Sequence, residues 1–330
     1  MLTIRQNFLE TIHGGNPDRF VNQYEYMKLV GNPIVRGRAG ACPRGGTIVN
    51  DWGVTSAWPE HVVTSFPVHT PEMILLKDVT KWRDVLKIPD PHSYDDLWTK
   101  DHEKAMADVD RGEVFATAMI APGIFERLHS MMSMTNCLAS FLEEPEAMLE
   151  LIDRLADWEI ETARIVVERQ HPDAIFHHDD WGTQTRSFLS PADFEKFFLP
   201  AYKRIYGFWK QNGVEIIVHH TDSYAANLVP YMIEMGIDVY QGAVSENNIP
   251  ELIRQYGGQI SFHGGLDNGK HDKEDWSVEA LRRDLRDLVG KAGTKYLIPG
   301  LTMGEPGSLY PGVYAALSAE IDDLSKEYFK

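Results

Sequence analysis

Cysteine is scarce in this sequence, which has only Cys42 and Cys137 and no Cys-x-x-Cys pair. A thiolate-rich zinc site therefore cannot be built from neighbouring residues, and two lone cysteines indicate free thiols in a reducing compartment. Apolar runs long enough to cross a bilayer are also absent, and the N-terminus lacks the apolar core of a signal peptide. These absences predict a cytoplasmic protein that does not enter a membrane.

Positive charge is also in short supply, since 32 Lys and Arg stand against 49 Asp and Glu, a net charge of −17. Nucleic acids and anionic membrane surfaces are bound by clustered Lys and Arg, so neither is an expected partner. The charge is typical of a soluble protein, with a docking surface for a basic partner as the alternative.

No G-x-G-x-x-G follows the first predicted strand, which disfavours a Rossmann fold.

Short apolar segments alternate with helical segments along the chain, as is typical of a parallel sheet. Seven strands are predicted, at 19–27, 113–119, 172–176, 214–218, 238–240, 259–262 and 296–298. This number favours a closed (β/α)8 TIM barrel, with an eighth strand hidden in the N-terminal half. We expect one domain over residues 1–330, in which 1–112 form an N-terminal helical and loop elaboration. A Gly- and Pro-rich loop with short strands is predicted at 31–60.

The ends of the predicted strands are rich in His, Asp and Glu. They include His177-His178-Asp179-Asp180, His219-His220-Thr221-Asp222, and the segments 241–246, 263–267 and 299–305. Because reactive residues of parallel barrels gather at the carboxyl ends of the strands, we expect these segments to converge on one mouth. Imidazoles and carboxylates from separate strands suit a zinc site with an open position. Metal-free acid–base chemistry is a second interpretation, and capping of helices and turns is a third.

Two arginines are further candidates. Arg127 and Arg186 could bind an anionic group of a substrate, and surface ion pairs are the alternative.

Six segments of the chain together carry a family resemblance. They are His178 to Gln184, Leu189-Ser190-Pro191, Phe198 to Lys203, Val218 to Asp222, Met235 to Val239 and Phe262 to Asp267. In this order they resemble segments of the uroporphyrinogen decarboxylase superfamily. The resemblance runs in order from about residue 114 to the end, and Asn50-Asp51-Trp52-Gly53-Val54 extends it less sharply into the N-terminal third. It implies the (β/α)8 barrel, whereas the chemistry does not transfer with the fold.

The superfamily has two main branches. Its decarboxylases carry an Arg-rich motif of the type RQAGRYMPEY for a substrate with many carboxylates, and this chain has Asp18-Arg19-Phe20-Val21-Asn22-Gln23-Tyr24 instead. The other branch holds corrinoid-dependent methyltransferases, which the chain resembles better. The resemblance implies methyl transfer between a small-molecule methyl donor and a corrinoid on a separate partner protein. The resemblance also predicts a homodimer.

Zinc is the metal that the resemblance implies. The branch's coenzyme M enzymes hold zinc through His-x-Cys and a later Cys, but here Thr221 replaces the first Cys and 299–302 contain none. The closer resemblance is therefore to enzymes that demethylate aryl ethers, with a metal or a proton donor assisting the leaving oxygen.

The site predicted from the sequence has three sets of residues. The catalytic residues are Asp180, His219 and Asp222; the substrate-binding residues are Trp52, Tyr24, His178, Gln184 and His263; the zinc ligands are His219 and Glu246. Two other functions stay open at this point. One is decarboxylation of the uroporphyrinogen type in tetrapyrrole biosynthesis, and the other is a non-catalytic barrel that binds a small molecule.

Overall fold

The computed structural model describes residues 1–62, 64–303 and 310–330. Within them the strands are β1 Met27–Val30, β2 Thr47–Val49, β3 Thr55–Ala57, β4 Phe66–Pro67, β5 Phe115–Ile120, β6 Ala174–His178, β7 Ile216–His220, β8 Val239–Ala243, β9 Ser261–Leu266 and β10 Leu297–Leu301. The α-helices are α1 Ile4–Ile12, α2 Pro33–Arg36, α3 Trp82–Val85, α4 Lys100–Ala107, α5 Ile124–Met132, α6 Met134–Glu143, α7 Pro145–Gln170, α8 Pro191–Phe197, α9 Leu199–Gln211, α10 Val229–Met235, α11 Ile249–Tyr256, α12 Asn268–His271, α13 Val278–Ala292 and α14 Val313–Tyr328. Short 3-10 helices lie at Val79–Lys81, Pro91–Leu97, Ala226–Leu228 and Ser245–Asn247.

Seven strands form one parallel sheet in the order β1-β5-β6-β7-β8-β9-β10. The predicted α/β class is therefore confirmed, but the closed eight-stranded barrel is not found. In the described ranges the sheet has no eighth strand, and its edge strands β1 and β10 do not pair. The prediction also placed the first strand at 19–27, whereas β1 begins at Met27. The chain before it lies against the other edge instead, because Tyr26 contacts His263 of β9 and Gly300 of β10 packs on Gln23.

The sheet is curled around one apolar interior. Phe176, Val218, Val239 and Ile298 come from four of its strands and belong to a single buried cluster. Phe8 of α1 is part of the same cluster and stacks on Tyr26 at a ring distance of 4.3 Å. Helix α1 thus covers the amino ends of the strands, and the carboxyl ends are left as the mouth.

The predicted loop at 31–60 contains the short strands that were expected. Strands β2, β3 and β4 form a small antiparallel sheet, and Trp52 lies in the turn between β2 and β3. Trp52 packs edge-on against Trp158 of α7 at 4.9 Å, which joins this segment to the helical layer. Among the described residues, no helix is both long enough and apolar enough to cross a bilayer.

Candidate metal centre

Strands β6 and β7 each end in two histidines, and strand alternation sends the two rings to opposite faces. Phe176 and Val218 point into the curled sheet, so His178 and His220, two residues further on, point into its mouth. Their rings stack at 4.3 Å. His177 and His219 point outward to the helices instead, where each is fully buried.

Three side chains at the mouth form a group that could hold a metal ion. Each of His178, Asp180 and His220 offers one ligand atom, and these atoms all lie within 4.8 Å of one another. The Nε2 atom of His220 is 3.9 Å from Oδ1 of Asp180. Two imidazoles and one carboxylate are a donor set of catalytic zinc sites, which keep a further position open for a substrate.

The tautomer of His220 is fixed by Gln241. The amide nitrogen of Gln241 donates to the hydroxyl of Tyr24 at 2.8 Å and to the carbonyl of Thr302 at 3.0 Å. Its oxygen therefore faces Nδ1 of His220, with which it makes a short hydrogen bond. Since an amide oxygen only accepts, Nδ1 carries the proton and Nε2 keeps a lone pair for a metal.

Glu126 holds Nδ1 of His178 in the way that Gln241 holds Nδ1 of His220. Its carboxylate lies 2.7 Å from Nδ1 of His178, which leaves Nε2 as the metal-facing atom. Burial opposes a charge on this ring, but Glu126, Asp180 and Asp179 outweigh it and raise the pKa of His178 to about 9. A metal ion would therefore have to displace the proton on Nε2 when it binds.

Replacing Glu126 with glutamine is expected to weaken zinc binding by about 10- to 100-fold, because the carboxylate that orients and polarises His178 is lost. Competition with a chromogenic chelator measures this. Glu146→Gln is the matched control, since Glu146 is exposed on α7. Equal zinc affinity in the wild type and in Glu126→Gln would contradict the role given to Glu126.

Asp179 points away from the mouth and anchors α5. Its buried carboxylate accepts from the amides of Phe125 at 3.0 Å and Glu126 at 2.7 Å, from Nε1 of Trp181 at 2.9 Å and from the hydroxyl of Tyr202. A carboxylate at a helix N-terminus satisfies amides that have no partner within the helix. Asp179 thereby fixes the first turn of α5, from which Glu126 reaches His178.

Gly123 allows this close packing, and Gly123→Ala is expected to lower stability by about 1–3 kcal/mol. A Cβ there would lie 2.5 Å from Cβ of Asp179 and 2.7 Å from Cε1 of His177, both of which are buried. Urea unfolding measures the change. Gly207→Ala in α9 is the control, because its Cβ would meet only the side chain of Gln211 at 3.9 Å, and it should stabilise the protein slightly. Equal stability of Gly123→Ala and the wild type would contradict the packing argument.

The predicted ligands His219 and Glu246 are not brought into the metal group. His219 stacks on Trp181 at 3.8 Å, and its Nδ1 meets the hydroxyl of Tyr206 at 2.7 Å. Burial lowers its pKa, so the ring is neutral. Glu246 accepts from Nε2 of Gln184 at 3.0 Å, in the loops outside the group. The geometry moves the candidate ligands to His178, Asp180 and His220.

The other predicted residues divide between the mouth and its surroundings. The amide of Asp222 donates to Oδ1 of Asp180 at 2.7 Å, and burial together with Asp180 and Asp267 raises the pKa of Asp222 to about 6. The ring of Tyr24 lies at a tilt against that of the buried His263, with ring centres 4.6 Å apart, and the Tyr24 hydroxyl accepts from the amide of Gln241. In the predicted segment 299–305, residues 304 and 305 lie outside the described residues.

Trp52 and Arg127 lie on the wall of a separate cavity of about 530 Å³ beside β2 and β3. Arg186 is exposed in the loop after β6.

His220, Gln241 and Glu126 belong to or support the metal group but were not among the site residues predicted from the sequence. His220 and Gln241 carried a signal, since both lie in strand-end segments expected at the mouth, whereas Glu126 lies in none of those segments.

The family model described as uroporphyrinogen decarboxylase (URO-D) matches residues 73–288. This chain belongs to the uroporphyrinogen decarboxylase family. The family predicted from the sequence motifs is thus confirmed, and a search of curated proteins finds no significant match.

Solved structures show how far the fold is shared. A methyltransferase from Methanosarcina mazei matches with a TM-score of 0.63 and 12% identity, over 98% of this chain and 99% of that chain. A D-psicose 3-epimerase has a TM-score of 0.37 and 12% identity over 72% of this chain and 86% of that chain. A D-allulose 3-epimerase from Methylomonas sp. has a TM-score of 0.36 and 10% identity, over 70% and 93%. The first match covers the whole fold.

Proposed function

We propose that this protein is a methyltransferase that moves a methyl group from a small methylated substrate, a methoxylated aromatic, to a corrinoid on a separate partner protein. The observation that carries the proposal is the group of His178, Asp180 and His220, whose ligand atoms lie within 4.8 Å of one another. Glu126 and Gln241 hold the Nδ1 atoms of its two imidazoles and so leave both Nε2 atoms for a metal. The shared fold with a methyltransferase over the full chain supports it.

Zinc fits this group. The nitrogen and oxygen donors, the fixed tautomer of His220 and the carboxylate behind His178 are features of catalytic zinc sites. Cys42 and Cys137 are buried and do not belong to the group. When bound, zinc would act as a Lewis acid that stabilises negative charge on the leaving ether oxygen.

Asp222 is the candidate proton donor. Burial, together with Asp180 and Asp267, raises the pKa of Asp222 to about 6, toward the range of a general acid, and its backbone amide donates to Asp180. In the proposed reaction the methyl carbon would pass to the reduced corrinoid of the partner protein as its bond to the ether oxygen breaks, and that oxygen would take its proton from the Asp222 carboxyl. A homodimer and the corrinoid partner remain predictions from the resemblance.

Zinc-loaded protein is expected to transfer methyl groups from methoxybenzenes to free cob(I)alamin, followed by absorbance under reducing conditions. Asp222→Asn should slow transfer by about a hundredfold without loss of zinc, because only the side-chain proton donor is removed. The control is Asp275→Asn, whose side chain is 81% exposed. No transfer from any methoxybenzene with fully zinc-loaded protein would contradict the proposed function.

A further inference from the structure

Arg127, in the first turn of α5, carries its charge inside the protein. It is 7% exposed, and within the described ranges no carboxylate oxygen lies within 4.0 Å of its guanidinium. Its Nη2 donates to the carbonyl of Pro122 at 2.9 Å, and its central carbon lies 4.2 Å and 4.6 Å from the ring centres of Trp52 and Trp158. Indole faces stabilise a guanidinium but do not neutralise it, so a buried arginine also needs negative charge nearby.

Glu159 is a buried carboxylate with the opposite need. It follows Trp158 in α7, and its side chain is 3% exposed. Its Oε2 accepts from Nε2 of the buried His177 at 3.0 Å. In the described part of the chain its Oε1 has no hydrogen-bond partner, and neither has Nε of Arg127. Two opposite charges are therefore buried on either side of Trp158, and each has a polar atom left over.

Glu159 is the carboxylate that depends most on Arg127. Burial lowers the pKa of Arg127, and the charge of Glu159 opposes this most strongly, followed by that of Asp179. Asp179 already accepts from four donors, whereas among the described residues Glu159 accepts from His177 alone. A buried carboxylate with so few donors is stable only if an opposite charge compensates it.

Both charges lie directly behind the metal group. Arg127 follows Glu126, whose carboxylate lies 2.7 Å from Nδ1 of His178. Glu159 binds His177, which precedes His178 in β6. The attraction between Arg127 and Glu159 therefore links α5 to α7, and α7 in turn holds the end of β6. Two routes of contact reach His178 from this one pair of charges.

We propose that Arg127 is a positioning residue, whose charge, balanced by that of Glu159, holds α5 against the end of β6 and so keeps Glu126 on His178. The anion that Arg127 serves is then a side chain of the protein itself and not a group of the substrate. The inference rests on the proposed function for its catalytic meaning, since the support of His178 matters for methyl transfer only if a metal binds there.

Urea unfolding of metal-free variants tests the charge balance. Arg127→Met leaves Glu159 uncompensated, so we expect the equilibrium constant for folding to fall by about a hundredfold or more. Arg127→Met/Glu159→Gln should recover about tenfold or more of this loss, because removing both charges of a buried pair costs far less than removing one. Arg127→Lys should also recover part of it, since the charge is retained.

The position of His178 is measured separately, by NMR of metal-free protein that is labelled with ¹⁵N in its histidines. The proton on Nδ1 of His178, held by Glu126, should give a signal that is protected from exchange and is identified by its absence in His178→Gln. We expect this signal in the wild type, in Arg127→Lys and in Arg127→Met/Glu159→Gln, and its loss in Arg127→Met.

Arg83 is the matched control. Its guanidinium also lies over an indole, that of Trp82 at 4.4 Å, and pairs with Glu150 at 2.7 Å, but both partners of this pair are exposed. Arg83→Met and Arg83→Met/Glu150→Gln should therefore both fold within about threefold of the wild type and keep the His178 signal.

Equal stability losses in Arg127→Met and in Arg127→Met/Glu159→Gln would overturn the proposal, because Arg127 would then act only through packing. A His178 signal that is missing from the wild type, or unchanged in Arg127→Met, would also overturn it. If Arg127→Met does not fold, folding of the double variant is the predicted rescue, and failure of both variants to fold counts against the charge pair.

The proposed function fails separately, because these measurements use metal-free protein. A wild type that binds no zinc or transfers no methyl group would refute the proposed function and leave the hold of Arg127 on His178 standing. An active wild type whose His178 signal survives in Arg127→Met would do the reverse.

Discussion

His220→Ala is expected to abolish stoichiometric zinc binding, whereas His219→Gln in the same strand is expected to keep it. His220 points into the mouth beside Asp180, with Nδ1 held by Gln241, while His219 points outward onto Trp181. Structural zinc sites bind with about 10–16 kcal/mol shared among four ligands, so the loss of one imidazole should weaken binding by about a hundredfold or more. Metal analysis after dialysis against a weak chelator measures the content.

The neighbouring histidines serve as matched controls for each other. Both lie in the last two positions of β7 and both are buried, so a general loss of folding would affect the two variants alike. Far-ultraviolet circular dichroism confirms that each variant is folded before its zinc is measured. Loss of zinc in His219→Gln with retention in His220→Ala would show that the strand faces are assigned the wrong way round.

Asp179→Ala is expected to destabilise the protein by about 3–5 kcal/mol, the range for breaking a buried charged network. Four donors lose their acceptor at once: the amides of Phe125 and Glu126, the Trp181 indole and the Tyr202 hydroxyl. Urea unfolding measures the change, provided that the transition is two-state.

Asp180→Ala is the control, because Asp180 is the next residue and its side chain is 34% exposed. It should change the free energy of unfolding far less than Asp179→Ala and should lose zinc. A stability loss in Asp179→Ala of less than about 1 kcal/mol would contradict the anchoring of α5 by this carboxylate.

The regular part of the fold could be predicted from the sequence because its strands are short apolar runs. Six of the seven predicted strands coincide in large part with strands of the parallel sheet, among them 113–119 with β5 and 172–176 with β6. Residues 19–27 do not form the predicted strand, because their apolar side chains pack against another part of the chain. Phe20 packs on Phe329 of the C-terminal segment, which alternation along one strand cannot reveal.

The choice between His219 and His220 could not be made from the sequence pattern. Residues 216–218 are apolar without interruption, since a parallel strand covered on both sides has no polar face to mark its orientation. The predicted strand also ended at 218, whereas β7 continues to His220. One position more or less in a strand exchanges the two faces, so this shift decides which imidazole is in the mouth.

The residues that support the metal group were out of reach for a different reason. Glu126 is 52 residues from His178 along the chain, and Gln241 is 21 residues from His220. Glu126 lies in none of the segments expected at the mouth, and the segment 241–246 does not reveal that Gln241 faces His220. Only the packing of α5 and β8 brings these side chains to the imidazoles.

X-ray absorption at the zinc edge of the loaded protein tests the central claim most directly. A centre made of His178, Asp180 and His220 predicts only nitrogen and oxygen neighbours at about 2.0–2.2 Å, with outer-shell scattering from two imidazole rings, and loss of one ring in His220→Ala. A sulfur neighbour at about 2.3 Å, or a spectrum unchanged in His220→Ala, would contradict it.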